Sequence, residues 1–289
     1  MSDSRDPTGF VLAPPRARVG GVVGKLARIV RLAGRCASLG SRRVDRLRLF
    51  GATFALLLAH RLGAARRLQV TVSITAFGRS ARCSIDHFDH LLLLEAIFLD
   101  GDYAVEPRQE PRTIVDLGSN VGLSILYFRM RFPAARIVGV EPDPHAFALL
   151  RTNVGRLADV TLLHAAVSDR EGTTTLWSAP GAAASALERT HDAQRAVEVP
   201  VHTLEGVLDH AGVDRVDILK LVVEGSEFRA LRSLRDLNRL DAITGEIVFV
   251  EGDPQRSPAA FRELLADFDV ALYEDKGDGF WQFHAHRRR

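Results

Sequence analysis

From Pro111 onward the sequence alternates two patterns, and that alternation limits the fold more than any other feature. Apolar runs, TIVDLG, RIVGVEP, VTLLHAAV, VDILKLVV and AITGEIVFVEG, read as strands. Helical segments lie between them, starting near Leu123, Pro144, Leu204 and Ser226. Asp143–Pro144 pairs a capping acid with a proline at the first helical position, and Ser257–Pro258 opens a helix in the same way. Apolar strands joined by helical crossovers predict a parallel sheet covered on both faces. DVALYE and GFWQFHAH, with a turn at Gly277 and Gly279, predict an antiparallel edge hairpin.

The segment Thr113 to Phe128, TIVDLGSNVGLSILYF, carries the chemistry. A strand ends in Asp116, and Gly118-x-Asn120-x-Gly122 then turns the chain into a helix. Glycine lets the backbone turn sharply and lets a ligand lie close. In a parallel sheet the ligand sits beyond the carboxyl ends of the strands. The next strand ends in Glu141, 23 residues after Gly118, where an acid can accept hydrogen bonds from both ribose hydroxyls. A nicotinamide dinucleotide needs glycine at the second motif position, for its pyrophosphate, and this chain has Asn120 there. A sulfonium cofactor has no phosphate and carries positive charge, so Asp116 and Asn120 both suit it. The spacing therefore points to S-adenosylmethionine (SAM).

Composition divides the chain. From Arg16 to Arg67 there are 13 Lys and Arg against one acid, Asp45; from Leu68 on there are 24 against 33. Such a split assigns the two parts different work. Val19, Val22, Val23, Leu26, Ile29, Val30 and Ala33 form a helical stripe. A second helix is expected over Val44 to Leu62, with Leu47, Phe50, Phe54 and Leu58 on its apolar face. Alternation in LQVTVSITAFGRSARCSID predicts a small hairpin, and a helix through FDHLLLLEAIFLDG stops at Gly101. The expected division is a disordered tail over 1–17, a basic helical extension over 18–67, a hairpin and helix capping the core over 68–110, and the ligand-binding domain over 111–289. Two cysteines do not make a disulfide framework. LFGATFALLLA is about half the ~20 residues a membrane span needs. The expected location is cytoplasmic, peripheral at a membrane.

Several separated motifs together resemble the FkbM-type SAM-dependent methyltransferases: IVDLGSNVGLS, VGVEPDP, Asn153, HAAVSDREGTTTL, VPVHTLEGVL and VDILKLVVEGSEFRAL, over about Phe88 to Glu251. The resemblance implies an α/β fold with a seven-stranded, mostly parallel Rossmann-like sheet and helices on both faces, here preceded by the basic helices and the hairpin. It implies SAM as methyl donor and O-methylation of a sugar or secondary-metabolite hydroxyl. Carried over by position, Asp116, Gly118, Ser119, Asn120 and Gly122 would form the cofactor loop, and Glu141 would hold the ribose. Ala166 and Val167 would lie near the adenine, with Asp169 close by. The family pattern resembling K-I-D-V-E-G-x-E is met by Lys220, Glu224, Gly225 and Glu227, but Val222 stands at the aspartate position. Catalysis is then expected to use Glu224 or Glu251, each at a strand end.

Other readings stay open at this point. A SAM-binding protein without methyl transfer fits Val222, and a nicotinamide-dependent enzyme is disfavoured by Asn120 and Asp116. Lys220 within a strand calls for a carboxylate partner, with Glu246 and Glu251 as candidates. The ten histidines show no metal-ligand spacing, and His191 lies where a lid would be. Between Arg16 and Arg67 there is no Tyr or Trp to stack on bases, so the basic head is expected at an anionic membrane or a partner, not on nucleic acid. An Arg-rich cap folded over the acidic body is the plain alternative.

Overall fold

The structure, a computed structural model, describes residues 22–64, 68–178, 195–274 and 280–288. The tail over 1–17, the helix start at Val19, His191 and the turn at Gly277–Gly279 lie outside the described residues. Helices α1 (Val22–Ser38) and α2 (Arg43–Arg61) form a hairpin whose loop bends at Ser41 and Arg42. Strands β1 (Val70–Ala76) and β2 (Arg79–Ile85) pair antiparallel, Val70 opposite Ile85. Helix α3 (Asp89–Glu95) runs into one wide turn, Ala96–Asp100, and ends at Gly101 with φ 78°.

Next come β3 (Thr113–Leu117), α4 (Leu123–Arg131), β4 (Arg136–Val140), α5 (Pro144–Val154), β5 (Val160–Leu163) and the short β6 (Ala166–Ser168). After them follow β7 (Gly172–Ser178), β8 (Arg195–Thr203), α6 (Leu204–Ala211), β9 (Val216–Leu221) and α7 (Glu227–Arg232). The chain then forms β10 (Leu240–Val248), α8 (Pro258–Leu264), β11 (Phe268–Glu274) and β12 (Phe280–Arg287). Seven of these strands make one sheet in the order β11-β12-β10-β9-β3-β4-β5, with β12 the antiparallel member. Alternation along the strands divides the core. Ile114, Ile137 and Ile218 face α4 and α5 and the N-terminal layer. Val115, Val138 and Leu219 face α6, α7 and α8. Both faces are covered, which is why these strands carry so few polar residues. Asp143 caps α5 by accepting from His145 N and Ala146 N at 2.9 Å, and Ser257 caps α8.

Two expectations change. VTLLHAAV is not one strand: β5 belongs to the large sheet, while β6 leaves it to pair with β8 in a three-stranded sheet ordered β6-β8-β7. And α2 presents the opposite face to the core. Leu49, Ala52, Leu56 and Ala59 are buried, whereas Leu47, Phe50, Phe54 and Leu58 point outward. Alanine lets helix α1 and strand β1 approach closely, so the face with smaller side chains is the one that packs.

Candidate cofactor and acceptor site

The site forms where β3 and β4 end. Gly118 at φ 79°, Asn120 at 46° and Gly122 at 89° give the loop three left-handed residues, two of them glycine. At Gly118 a Cβ would stand 1.8 Å from the Val222 carbonyl oxygen, so the loop packs directly on the chain leaving β9. At Gly122 a Cβ would meet Leu150 at 2.8 Å. The amides of Gly118 and Ser119 both donate to Val140 O at 2.9 Å, which fixes the loop to the tip of β4.

Glu141 lies at that tip and is buried. Its carboxylate accepts from Asn120 N and from Asp143 N, each at 2.8 Å. Burial pushes its pKa up to about 7, against the opposing pull of the two amides. Asp116 is deeper still, fully buried under the loop. It ion-pairs with Lys220 Nζ at 3.1 Å and accepts from Ser124 Oγ at 2.5 Å. Asp116 and Lys220 are register partners on neighbouring strands. The Lys220 ammonium also donates to Gly118 O at 2.5 Å and sits 5.4 Å over the Tyr103 ring. Asp116 therefore acts as the loop's anchor from below.

A cavity of about 330 Å³ opens above the loop, within the range of small-molecule sites. Gly118, Ser119, Asn120, Glu141, Ala166 and Val167 line it. Val222, Glu224, Tyr103, Asp89 and Glu246 line it as well. Glu224 adopts φ 50° ahead of Gly225 at 95°, a conformation costly for a non-glycine residue and concentrated at functional sites. Glu227 braces this turn, its Oε1 accepting from Val223 N at 3.2 Å and Gly225 N at 3.0 Å. Burial, then the charges of Glu246 and Glu227, push Glu224 up to about 7, while Lys220 pulls the other way. Tyr103 is held well above its usual pKa, chiefly by burial, so its hydroxyl keeps its proton.

Four of the expected site residues do not line the cavity. Asp116 is buried beneath it, and Gly122 packs against α5. Asp169 is exposed just past β6. Glu251 is the clearest displacement: β10 ends at Val248, and Glu251 sits exposed on the following turn, away from the strand tip assumed for it. Other residues take part: Tyr103 and Asp89, which the sequence did not single out, and Glu246, which it offered only as a partner for Lys220. Tyr103, Asp89 and Glu246 come from outside the glycine motif and enter through the fold. Asn153 binds three backbone groups at once: Ser84 N at 2.7 Å, Ser84 O at 2.9 Å and Val121 O at 2.8 Å. It ties the β1–β2 hairpin to the glycine loop. Asn153→Ala is expected to cost about 1–3 kcal/mol, because it leaves half-buried backbone groups unpaired; an unchanged urea midpoint would remove it as a tie.

A seven-stranded sheet with one antiparallel strand, a glycine turn after β3 and an acid at the tip of β4 define a Rossmann-like methyltransferase domain. The family model of the methyltransferase FkbM domain matches residues 116–275, more than half of the chain, and the chain belongs to that family. It is similar to Methyltransferase 1 of Beauveria bassiana, 26% identical over 216 residues, covering 65% of this chain and 83% of that protein. It is also similar to the 31-O-demethyl-FK506 methyltransferase FkbM of Streptomyces tacrolimicus, 29% identical over 197 residues, covering 55% and 75%. The 2-O-methyltransferase NoeI of Sinorhizobium fredii is 27% identical over 130 residues, covering 39% and 54%.

Proposed function

We propose that the chain transfers a methyl group from SAM to a hydroxyl oxygen of a small molecule or glycan. The observation that carries this reading is one cavity with Glu141, the glycine loop and the left-handed Glu224 in its wall. The residues present fit the cofactor. Asn120 Oδ1 is buried in that wall without a hydrogen-bond partner among the described residues. Gly118 lets the loop pack on the Val222 carbonyl, a place that any side chain would fill. SAM, when bound, supplies an electrophilic methyl group. Glu141 accepts from the ribose hydroxyls, and Ala166, Val167 and Leu176 offer the adenine an apolar surface. The Tyr103 hydroxyl donates to the acceptor, and a Glu224 carboxylate oxygen takes the acceptor hydroxyl's proton. Alignment of the reactants can contribute about 7–11 kcal/mol, and a positioned base about 10²–10⁴-fold. Loss of the strand-tip acid at Val222 is therefore compatible with turnover. The two O-methyltransferase names among the relatives support a hydroxyl acceptor.

Val222 favours a second reading, in which the chain binds SAM without transferring its methyl group. Calorimetry with SAM, S-adenosylhomocysteine and NAD tests the common part. Micromolar binding of either adenosyl ligand is expected, with Glu141→Ala weakening it by about 1–3 kcal/mol. Heat with NAD alone, or with none of the three, would overturn the cofactor assignment. A panel of sugar and polyketide hydroxyls, scored by S-adenosylhomocysteine release, separates the two readings. Release by Val222→Asp but not by the natural chain would leave a binding protein.

A further inference from the structure

Helix α2 is apolar on two opposite faces, and only one of them has a partner. At roughly 100° per residue, Val44, Leu47, Phe50, Phe54, Leu58 and Leu62 fall within an arc of about 120°. All six are exposed, Leu47 at 72% and Leu58 at 60%. The Phe50 and Phe54 rings lie 5.3 Å apart and form the middle of the stripe. On α1, Leu26 and Val30 are exposed as well. A surface helix normally turns its second face to water with polar residues, and an uncovered apolar stripe of this kind marks an interaction surface.

The charge around the stripe identifies the partner. By the same rotation Arg43 and Arg61 stand at its two ends, and Arg46 and Arg48 flank it. Lys25, Arg28 and Arg31 add to this charge along α1, and all seven side chains are exposed. The hairpin's one acid, Asp45, is buried on the opposite side. Among the described residues Arg35 is the hairpin cation that ion-pairs with the body, to Glu95 and Asp100. The other described cations of the hairpin are therefore not spent on neutralising the acidic body, as a cap folded over it would require. A second copy of the chain would bring two such cationic rims together, which repel. A nucleic acid would leave the apolar stripe facing water. An anionic bilayer satisfies both features, since acyl chains take the leucines and phenylalanines while headgroups take the arginines. No helix among the described residues is long and apolar enough to cross a membrane, so the contact is one of lying in the interface.

We infer that the outer face of the α1–α2 hairpin is a docking surface for an anionic lipid bilayer, with α2 lying along the headgroup boundary. The full chain is expected to co-sediment with phosphatidylcholine vesicles containing phosphatidylglycerol, and to be left behind by pure phosphatidylcholine. Binding should fall as salt is raised. Phe50→Ser with Phe54→Ser should weaken it tenfold or more without lowering the thermal midpoint, because both rings are outside the core. Arg43→Glu with Arg48→Glu should weaken it similarly. Absence of anionic-vesicle binding at low salt overturns the inference. So does binding that the phenylalanine pair does not affect, which would be charge attraction alone. A dimer in sedimentation analysis that the same phenylalanine substitutions dissociate would assign the face to a second copy instead.

Discussion

Lys220→Met is expected to lower the unfolding free energy by about 3–5 kcal/mol, read as a shifted urea midpoint at unchanged slope. Lys220 is 2% exposed and Asp116 is fully buried, so removing the ammonium strands a carboxylate in a dry interior. Ser124 still donates to Asp116 Oδ2, but the other oxygen, 3.1 Å from the ammonium, loses its counter-charge. The carbonyls of Leu117 and Gly118 lose a donor in the same step, so the glycine loop loosens along with the pair. Replacing both partners, Asp116→Leu with Lys220→Met, should restore much of the lost stability, because an apolar pair carries no uncompensated charge. Ligand affinity should not return with it, since the loop carbonyls remain without their donor. A loss below about 1 kcal/mol in the single variant would mean that water reaches Asp116 and that the pair is not the anchor described.

The contrast between Asp116 and Glu141 shows how far sequence reasoning reaches. Both acids end apolar strands near the glycine turn, and pattern alone gives both a place at the ligand. The structure separates them because side chains alternate along a strand while the chain turns at its tip. Glu141 is past the end of β4 and faces the cavity; Asp116 is inside β3 and faces its neighbour on β9. That neighbour, Lys220, is 104 residues away in sequence, and the pairing follows from strand order, which no local window contains. Local signals fared well where the cause is local: the Asp143 cap, the hairpin at Gly78, the helix stop at Gly101. They failed where two local answers were equally good. Helix α2 carries two apolar stripes, and periodicity cannot choose between them. Phe249 and Val250 extend the apolar run of β10 beyond its last ladder residue, which is what moved Glu251 toward the site on paper. His164 interrupts VTLLHAAV too weakly to signal that the chain changes sheets there.

Glu224→Gln is expected to cut turnover more than about tenfold while making the protein more stable at alkaline pH. The two effects share one cause. Glu224 is held in a left-handed turn, in partial burial, beside Glu246 and Glu227, and its carboxyl is pushed up to about 7. A raised carboxyl is penalised when ionised. Its folded form holds a proton that the unfolded chain releases near its ordinary value of 4.5, so its stabilising contribution is complete below about 4.5 and is lost as pH rises through about 7. Glutamine cannot ionise. The variant should match the parent below about pH 4.5, gain on it as pH rises to about 7 and keep that advantage above. Activity should move the opposite way, because a base works only when deprotonated. The parent's turnover should rise with pH to a plateau above about 7, and the variant should lose that limb. A group with a merely structural role would shift stability and leave the pH profile of turnover in place. Full activity in Glu224→Gln, with the pH limb intact, would sink the assignment and leave alignment of the two reactants as the main contribution of this cavity to methyl transfer.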